Sequence, residues 1–169
     1  MGVLVNQLVA LSRMDEDNSN LVISSFDLTA VISDTVSEFN TLAEERGKTL
    51  LFNGTSPVLY SGDEGLIRRL TSILLDNAIK YCDPGGAICV TLSAKRYPVL
   101  TVENTYAKVN SIELERLFDR FYRSDKARSH TGSFGIGLSI AKAIAKNHQG
   151  DITSYKKGTN IIGFKVVLK

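Results

Sequence analysis

The chain has 169 residues, 43% of them hydrophobic, which suffices for one well-packed domain. A formal net charge of +2 is too mild to point to nucleic acid or a membrane surface. Cys82 and Cys89 lack metal-ligand spacing and lie far from His130 and His148. No apolar run reaches the roughly 18 residues of a membrane span, and no signal peptide is evident, so a reduced cytosolic chain is expected.

Residues 3–14 carry apolar side chains at helical spacing from the outset and read as the tail of a longer helix. A polar break over 15–20 fits a linker. Residues 21–24 suggest a short strand. Asp27 is a good N-cap for a helix through about Glu45, with Leu28, Val31, Ile32, Phe39 and Leu42 inward and Gly47 as its stop. Residues 48–52 and 57–60 read as two strands around an Asn53-Gly54 turn.

A second long helix is predicted from about Asp63 to Tyr81, its apolar set being Leu66, Ile67, Leu70, Ile73, Leu74, Ala78 and Tyr81. Asp83-Pro84-Gly85-Gly86 stops it. Residues 87–93 and 99–102 read as a hairpin of central strands, followed by a short helix near 112–118. The polar stretch 120–133 is long for a compact domain, and such loops are commonly lids or disordered segments. A helix then follows Gly135 and Gly137, with Leu138, Ala141, Ile144 and Ala145 on one face. Residues 151–155 and 161–168 form a closing hairpin. The sum is a two-layer α+β sandwich, a mixed sheet covered on one face by three helices.

Three stretches carry chemistry. In Leu74-Leu75-Asp76-Asn77-Ala78-Ile79-Lys80-Tyr81, helical spacing puts Asn77, Lys80 and Tyr81 on one face. An amide oxygen is a hard neutral ligand suited to Mg²⁺ held mainly by phosphates and water. In Phe118-Asp119-Arg120-Phe121-Tyr122-Arg123-Ser124-Asp125-Lys126-Ala127-Arg128, aromatics sit at the base of a loop with cations at its tip, able to neutralise a polyphosphate. In Gly132-Ser133-Phe134-Gly135-Ile136-Gly137-Leu138, glycines precede a helix N-terminus, where bare N–H groups and a partial positive charge favour phosphate. The stretch is not a Walker loop, which ends in Gly-Lys-Ser/Thr. It is not a Rossmann turn either, since no strand precedes it. Each stretch alone is also compatible with a solvated face, a charge run or a plain loop.

In this order the three resemble the asparagine, phenylalanine and second glycine boxes of sensor histidine kinases, in the ATP-binding superfamily that includes DNA gyrase, Hsp90 and MutL. The resemblance covers about residue 21 to the C-terminus. It implies a Bergerat-type ATP-binding fold over residues 18–169. Residues 1–17 resemble the end of the second helix of the family's dimerisation hairpin, with a linker. By the same resemblance, Asn77 ligates Mg²⁺, Lys80 and Arg128 approach phosphate oxygens, and Tyr81 borders the adenine. Gly132, Gly135, Gly137 and Leu138 let lid and helix approach the nucleotide, and Phe118 and Phe121 anchor the lid. Asp76 accepts or orients the proton of the attacking imidazole.

Two departures stand out. The family's first glycine box carries Asp-x-Gly, where the carboxylate accepts the adenine amino group. The register here puts Asn104 at the acid and Tyr106 at the glycine, with Glu103 on the other side of the strand. Loss of charge assistance and crowding by Tyr106 predict weaker nucleotide binding. The phosphoacceptor histidine is also missing: His130 falls in the lid stretch, and His148 is expected to cap a helix C-terminus and favour its dipole.

The implied function is the ATP-binding kinase domain of a two-component sensor, cytoplasmic within a membrane-anchored protein. It would pass the γ-phosphoryl to a histidine on a hairpin absent from this chain, and thence to a response regulator receiver domain. The fragment itself is expected to be a monomer or a weak dimer, with no nucleic-acid partner. A gyrase-like ATPase needs a glutamate one turn before the asparagine, where Ile73 stands. An anti-sigma serine kinase of the same fold is disfavoured by the helix at 3–14. A nucleotide-weak or nucleotide-dead interaction domain stays open because of the altered glycine box.

Overall fold

The computed structural model describes residues 2–16, 20–54, 56–122 and 135–169. Helix α1 spans Gly2–Glu16. Strand β1 (Ile23–Asp27) runs into helix α2 (Leu28–Glu45), and strands β2 (Thr49–Asn53) and β3 (Leu59–Asp63) precede helix α3 (Glu64–Tyr81). Strands β4 (Ala87–Ala94) and β5 (Pro98–Thr105) form a hairpin. Helix α4 (Gly137–Asn147) and strands β6 (Asp151–Lys157) and β7 (Ile161–Val167) complete the chain. Five strands make one mixed sheet in the order β2-β4-β5-β7-β6, in which only β2 and β4 run parallel. The α+β class with helices α2, α3 and α4 on one face is as expected from the sequence.

The helix starts follow their capping chemistry. Asp27 accepts from Thr29 N at 2.9 Å and Asp63 accepts from Leu66 N at 3.0 Å, each satisfying a first-turn N–H. Alternation along the central strands turns Ile88, Val90, Leu100, Val102 and Phe164 toward the helices. There they meet Leu28, Ile32, Leu70, Leu74, Ile140 and Ile144, all fully buried. Each such side chain contributes about 1.5–3 kcal/mol of hydrophobic stabilisation.

Two expectations are corrected. Residues flanking Asn53-Gly54 do not pair with one another: β2 edges the large sheet, while β3 pairs antiparallel with β1 in a separate two-stranded sheet. The N-terminus of α2 draws the chain away, because Val58 N donates to Asp27 Oδ1 at 3.2 Å and Leu28 N donates to Val58 O at 2.8 Å. Instead of one helix near 112–118 there are two 3-10 turns, Val109–Ser111 and Leu114–Arg116, separated by an extended Ile112. Ile112, Leu114, Leu117 and Phe118 pack on the core from spacings that do not fit one helical stripe.

His148 stands at the C-cap of α4 as expected from the sequence, and its buried ring also bridges two helices. Nε2 accepts from Asp63 N at 3.0 Å, so the proton sits on Nδ1, which lies 2.8 Å from the Ile144 carbonyl. His148 thereby ties the end of α4 to the start of α3.

Candidate functional site

One end of the α3–α4 groove opens into a cavity of about 260 Å³. Helix α3 supplies Ile73, Asp76, Asn77, Lys80 and Tyr81, the last turns of a helix whose opposite stripe is core. Ile73 and Tyr81, expected inward, are half-buried because they face this space. The start of α4 supplies Gly137 and Leu138, with Gly135 just before it. The sheet supplies Ile162 and Phe164 as an apolar base, and Tyr106 follows the end of β5.

Lys80 Nζ lies 2.7 Å from Asp76 Oδ2, an i,i+4 pair along α3. Asn77, between them in sequence, has a carboxamide with no hydrogen-bond partner among the described residues. Across the groove, the first turn of α4 has no capping side chain: Ile136 occupies the cap position, and Ser139 Oγ turns back to Ile136 O at 2.6 Å. Such a helix start offers N–H groups and the positive end of the dipole to an anion. The described residues contain no cluster of three or more His, Cys, Asp or Glu able to hold a metal ion. A cation here would rest on its ligand's own oxygens and a single neutral amide, which suits Mg²⁺ on a polyphosphate.

The glycines have distinct reasons. Gly135 has φ +70°, and a Cβ there would meet Tyr122 O at 2.8 Å. Its carbonyl accepts from Phe121 N at 2.9 Å, closing the two ends of the segment between them. At Gly137 a Cβ would touch Ile73 at 3.4 Å, so α4 approaches α3 closely where both line the cavity.

Asp76, Asn77, Lys80, Tyr81, Gly135, Gly137 and Leu138 are therefore brought together. Asn104 and Phe121 are not among the lining residues. Phe121 has φ +64° and is 59% exposed, and its neighbour Tyr122 lines the cavity instead, under Arg116 at 4.4 Å. Phe118 packs edge-on to Phe164 with centroids 6.1 Å apart. Arg128 and Gly132 lie outside the described residues. Tyr106 lines the cavity, and its phenol is held above the ordinary tyrosine range by burial first, then by Asp83 and Tyr81. Sequence reasoning missed Ile112, Leu117, Ile162 and Phe164, whose apolar character reads only as core. It also missed Val3 and Gln7 of α1, whose helix packs on α4.

Comparison with known proteins gives this constellation a context. The profile of the histidine kinase-, DNA gyrase B- and HSP90-like ATPases matches residues 62–169. The chain is 35% identical over 158 residues to the sensor protein DltS of Streptococcus agalactiae serotype V, covering 93% of this chain and 40% of that protein. It is 35% identical over 166 residues to the sensor histidine kinase CusS of Escherichia coli O157:H7, covering 96% and 34%. The chain thus spans about two fifths or less of these relatives. Among solved structures, a mycobacterial sensor histidine kinase, MprB, superposes with TM-score 0.73 at 25% identity, over 86% of this chain and 97% of that one. Full-length ShkA in complex with AMPPNP has TM-score 0.82 at 19% identity, over 98% and 35%, a likeness of fold.

Proposed function

The chain belongs to the histidine kinase-, DNA gyrase B- and HSP90-like ATPase family, and on that premise we propose that it is the catalytic portion of a two-component sensor histidine kinase. In this reading residues 18–169 bind Mg·ATP, and residues 1–17 end the second helix of a dimerisation hairpin. The juxtaposition of Asn77 and Lys80 on α3 with the uncapped start of α4, across one cavity, carries it.

Phosphoryl transfer asks the protein chiefly for positioning and charge neutralisation. Asn77 would hold Mg²⁺, which would supply neutralisation of the phosphate charge. Lys80 leaves Asp76 for a phosphate oxygen, and this exchange frees the Asp76 carboxylate to orient or accept the proton of an incoming imidazole. The N–H groups at Gly137 and Leu138 face the phosphates, and Tyr81 borders the base. By the family resemblance, Arg128 would approach a phosphate oxygen. Ile73, one turn before Asn77, has no basic atom to activate water, which favours transfer over hydrolysis.

The phosphoryl acceptor is a histidine on a hairpin outside this chain, and a response regulator receiver domain takes the group onward. The domain works on the cytoplasmic side of a membrane-anchored sensor. No described helix is long and apolar enough to cross a membrane. The chain alone is a monomer or a weak dimer through α1. One rival has an observation in its favour: Tyr106 in the wall narrows the base pocket, as expected of a nucleotide-weak interaction domain.

Calorimetric titration with Mg²⁺ and a non-hydrolysable ATP analogue separates the two. We expect measurable binding that falls at least about tenfold, or ~1.4 kcal/mol, in Asn77→Ala. Incubation with ATP and a separately made histidine-bearing hairpin should then label the histidine. No binding by the unmodified chain would leave the interaction domain as the better reading.

A further inference from the structure

Tyr122 lines the cavity while its neighbour Phe121 turns outward, and several groups converge to keep it there. The Arg116 guanidinium lies over its ring, 4.4 Å from the centroid. Arg116 is steadied in turn by Glu113 at 3.5 Å and Asp119 at 3.8 Å. The backbone is fixed as well: Tyr122 N donates to Asp119 O at 3.2 Å, and Phe121 N donates to Gly135 O at 2.9 Å. Each exposed ion pair by itself holds little, but here the contacts all bear on one ring. The Tyr122 hydroxyl, by contrast, has no hydrogen-bond partner among the described residues. A braced ring with an unused donor, facing a cavity, is preorganised for a ligand that accepts.

The location specifies which part of the ligand it meets. Gly135 stands directly against Tyr122, since a Cβ at Gly135 would meet Tyr122 O at 2.8 Å. Gly135 comes two residues before Gly137, the first residue of α4, whose opening turn has no capping side chain. Tyr122 therefore belongs with the end of the cavity that offers backbone N–H groups to an anion. The other two tyrosines of the wall, Tyr81 and Tyr106, group with each other and with Asp83 instead. A phenol O–H beside a phosphate makes a charge-assisted hydrogen bond, and its two side-chain torsions leave little entropy to lose.

Building on the nucleotide reading above, we propose that Tyr122 is a further binding residue for the phosphate chain: its hydroxyl donates to a phosphate oxygen, and Arg116 is the positioning residue that holds the ring for it. Phe121 cannot take this part, because its left-handed backbone turns its ring into solvent and it carries no donor.

The test is calorimetry on the 169-residue chain with Mg²⁺ and a non-hydrolysable ATP analogue, with adenosine as a phosphate-free probe measured by competition. Tyr122→Phe should weaken the analogue about tenfold, the size expected for a hydrogen bond to a charged oxygen, and leave adenosine unchanged. Arg116→Leu should weaken the analogue about threefold, and Arg116→Lys, which keeps a cation for the ring, should restore most of the loss. A merely structural Arg116 would move adenosine as much as the analogue. Urea unfolding checks that each variant folds. Analogue binding unmoved by Tyr122→Phe, or equal losses for analogue and adenosine, overturns the inference while leaving the ATP site intact. Full binding by Arg116→Leu overturns the part given to Arg116. If the unmodified chain does not bind the analogue, the nucleotide reading falls and this inference with it.

Discussion

Glu103 and Asn104 are neighbours on β5 and face opposite sides of the sheet, and the two sides treat their polar groups differently. On the open side, Glu103 accepts from Tyr155 Oη at 2.7 Å and from Lys157 Nζ at 3.1 Å. Gly163 of β7 pairs in register with both Glu103 and Tyr155, so the phenol reaches the carboxylate by lying across a residue with no side chain. On the helix side, Asn104 keeps valences open and Asn77 stands unbonded beside the cavity. The open face uses its polar groups to hold three strands together. The covered face leaves these two amides without such bonds, and its stability comes from the apolar neighbours instead.

The contrast breaks if substitutions on the open face alter ligand binding, and it sharpens if they alter stability alone. The largest effect is expected for Gly163→Ala. A Cβ there would meet Tyr155 Cζ at 2.4 Å, forcing the ring off Glu103. Urea unfolding should show a loss of about 1–3 kcal/mol, with unchanged affinity for an ATP analogue. Next comes Tyr106→Gly on the covered side. If the ring crowds the base, the variant should bind the ATP analogue up to about tenfold more tightly, equivalent to ~1.4 kcal/mol, by calorimetry. No gain would mean that Tyr106 does not obstruct the pocket.

The smallest is Tyr155→Phe, which should cost about 1 kcal/mol at neutral pH through the lost bond to Glu103. It also carries a pH signature. Burial first, and then the Glu103 carboxylate, hold the Tyr155 proton well above the ordinary tyrosine range. The folded chain therefore binds that proton more tightly than the unfolded chain. The stabilisation is complete below about pH 10 and declines as pH rises further, so Tyr155→Phe should show a shallower alkaline loss in urea unfolding at pH 11 than the unmodified chain.

Much of this architecture is legible in the linear chain because it depends on near neighbours. Asp27 and Asp63 announce helix starts by capping chemistry, and the apolar spacing in 28–45 and 64–81 defines the buried stripes. The order of Asn77, the aromatic stretch and Gly135-Ile136-Gly137 identifies the family, and β-alternation alone separates Glu103 from Asn104. The local periodicity is less informative where distant contacts compete. Asn53-Gly54 looks like a hairpin turn, yet Val58 is captured by the start of α2. Phe121 and Tyr122 look interchangeable until a left-handed backbone at Phe121 turns one outward and leaves the other in the wall.

The amino-acid order by itself determined the long helices, their caps, the mixed α+β class and the polar residue types on the α3 side of the cavity, since these follow from spacing and local hydrogen bonding. Only the tertiary structure decided which strands share a sheet, that His148 fastens α4 to α3, and that Asn104 sits behind the wall while Tyr106 forms it. Those outcomes rest on contacts between residues tens of positions apart, whose geometry no local pattern encodes.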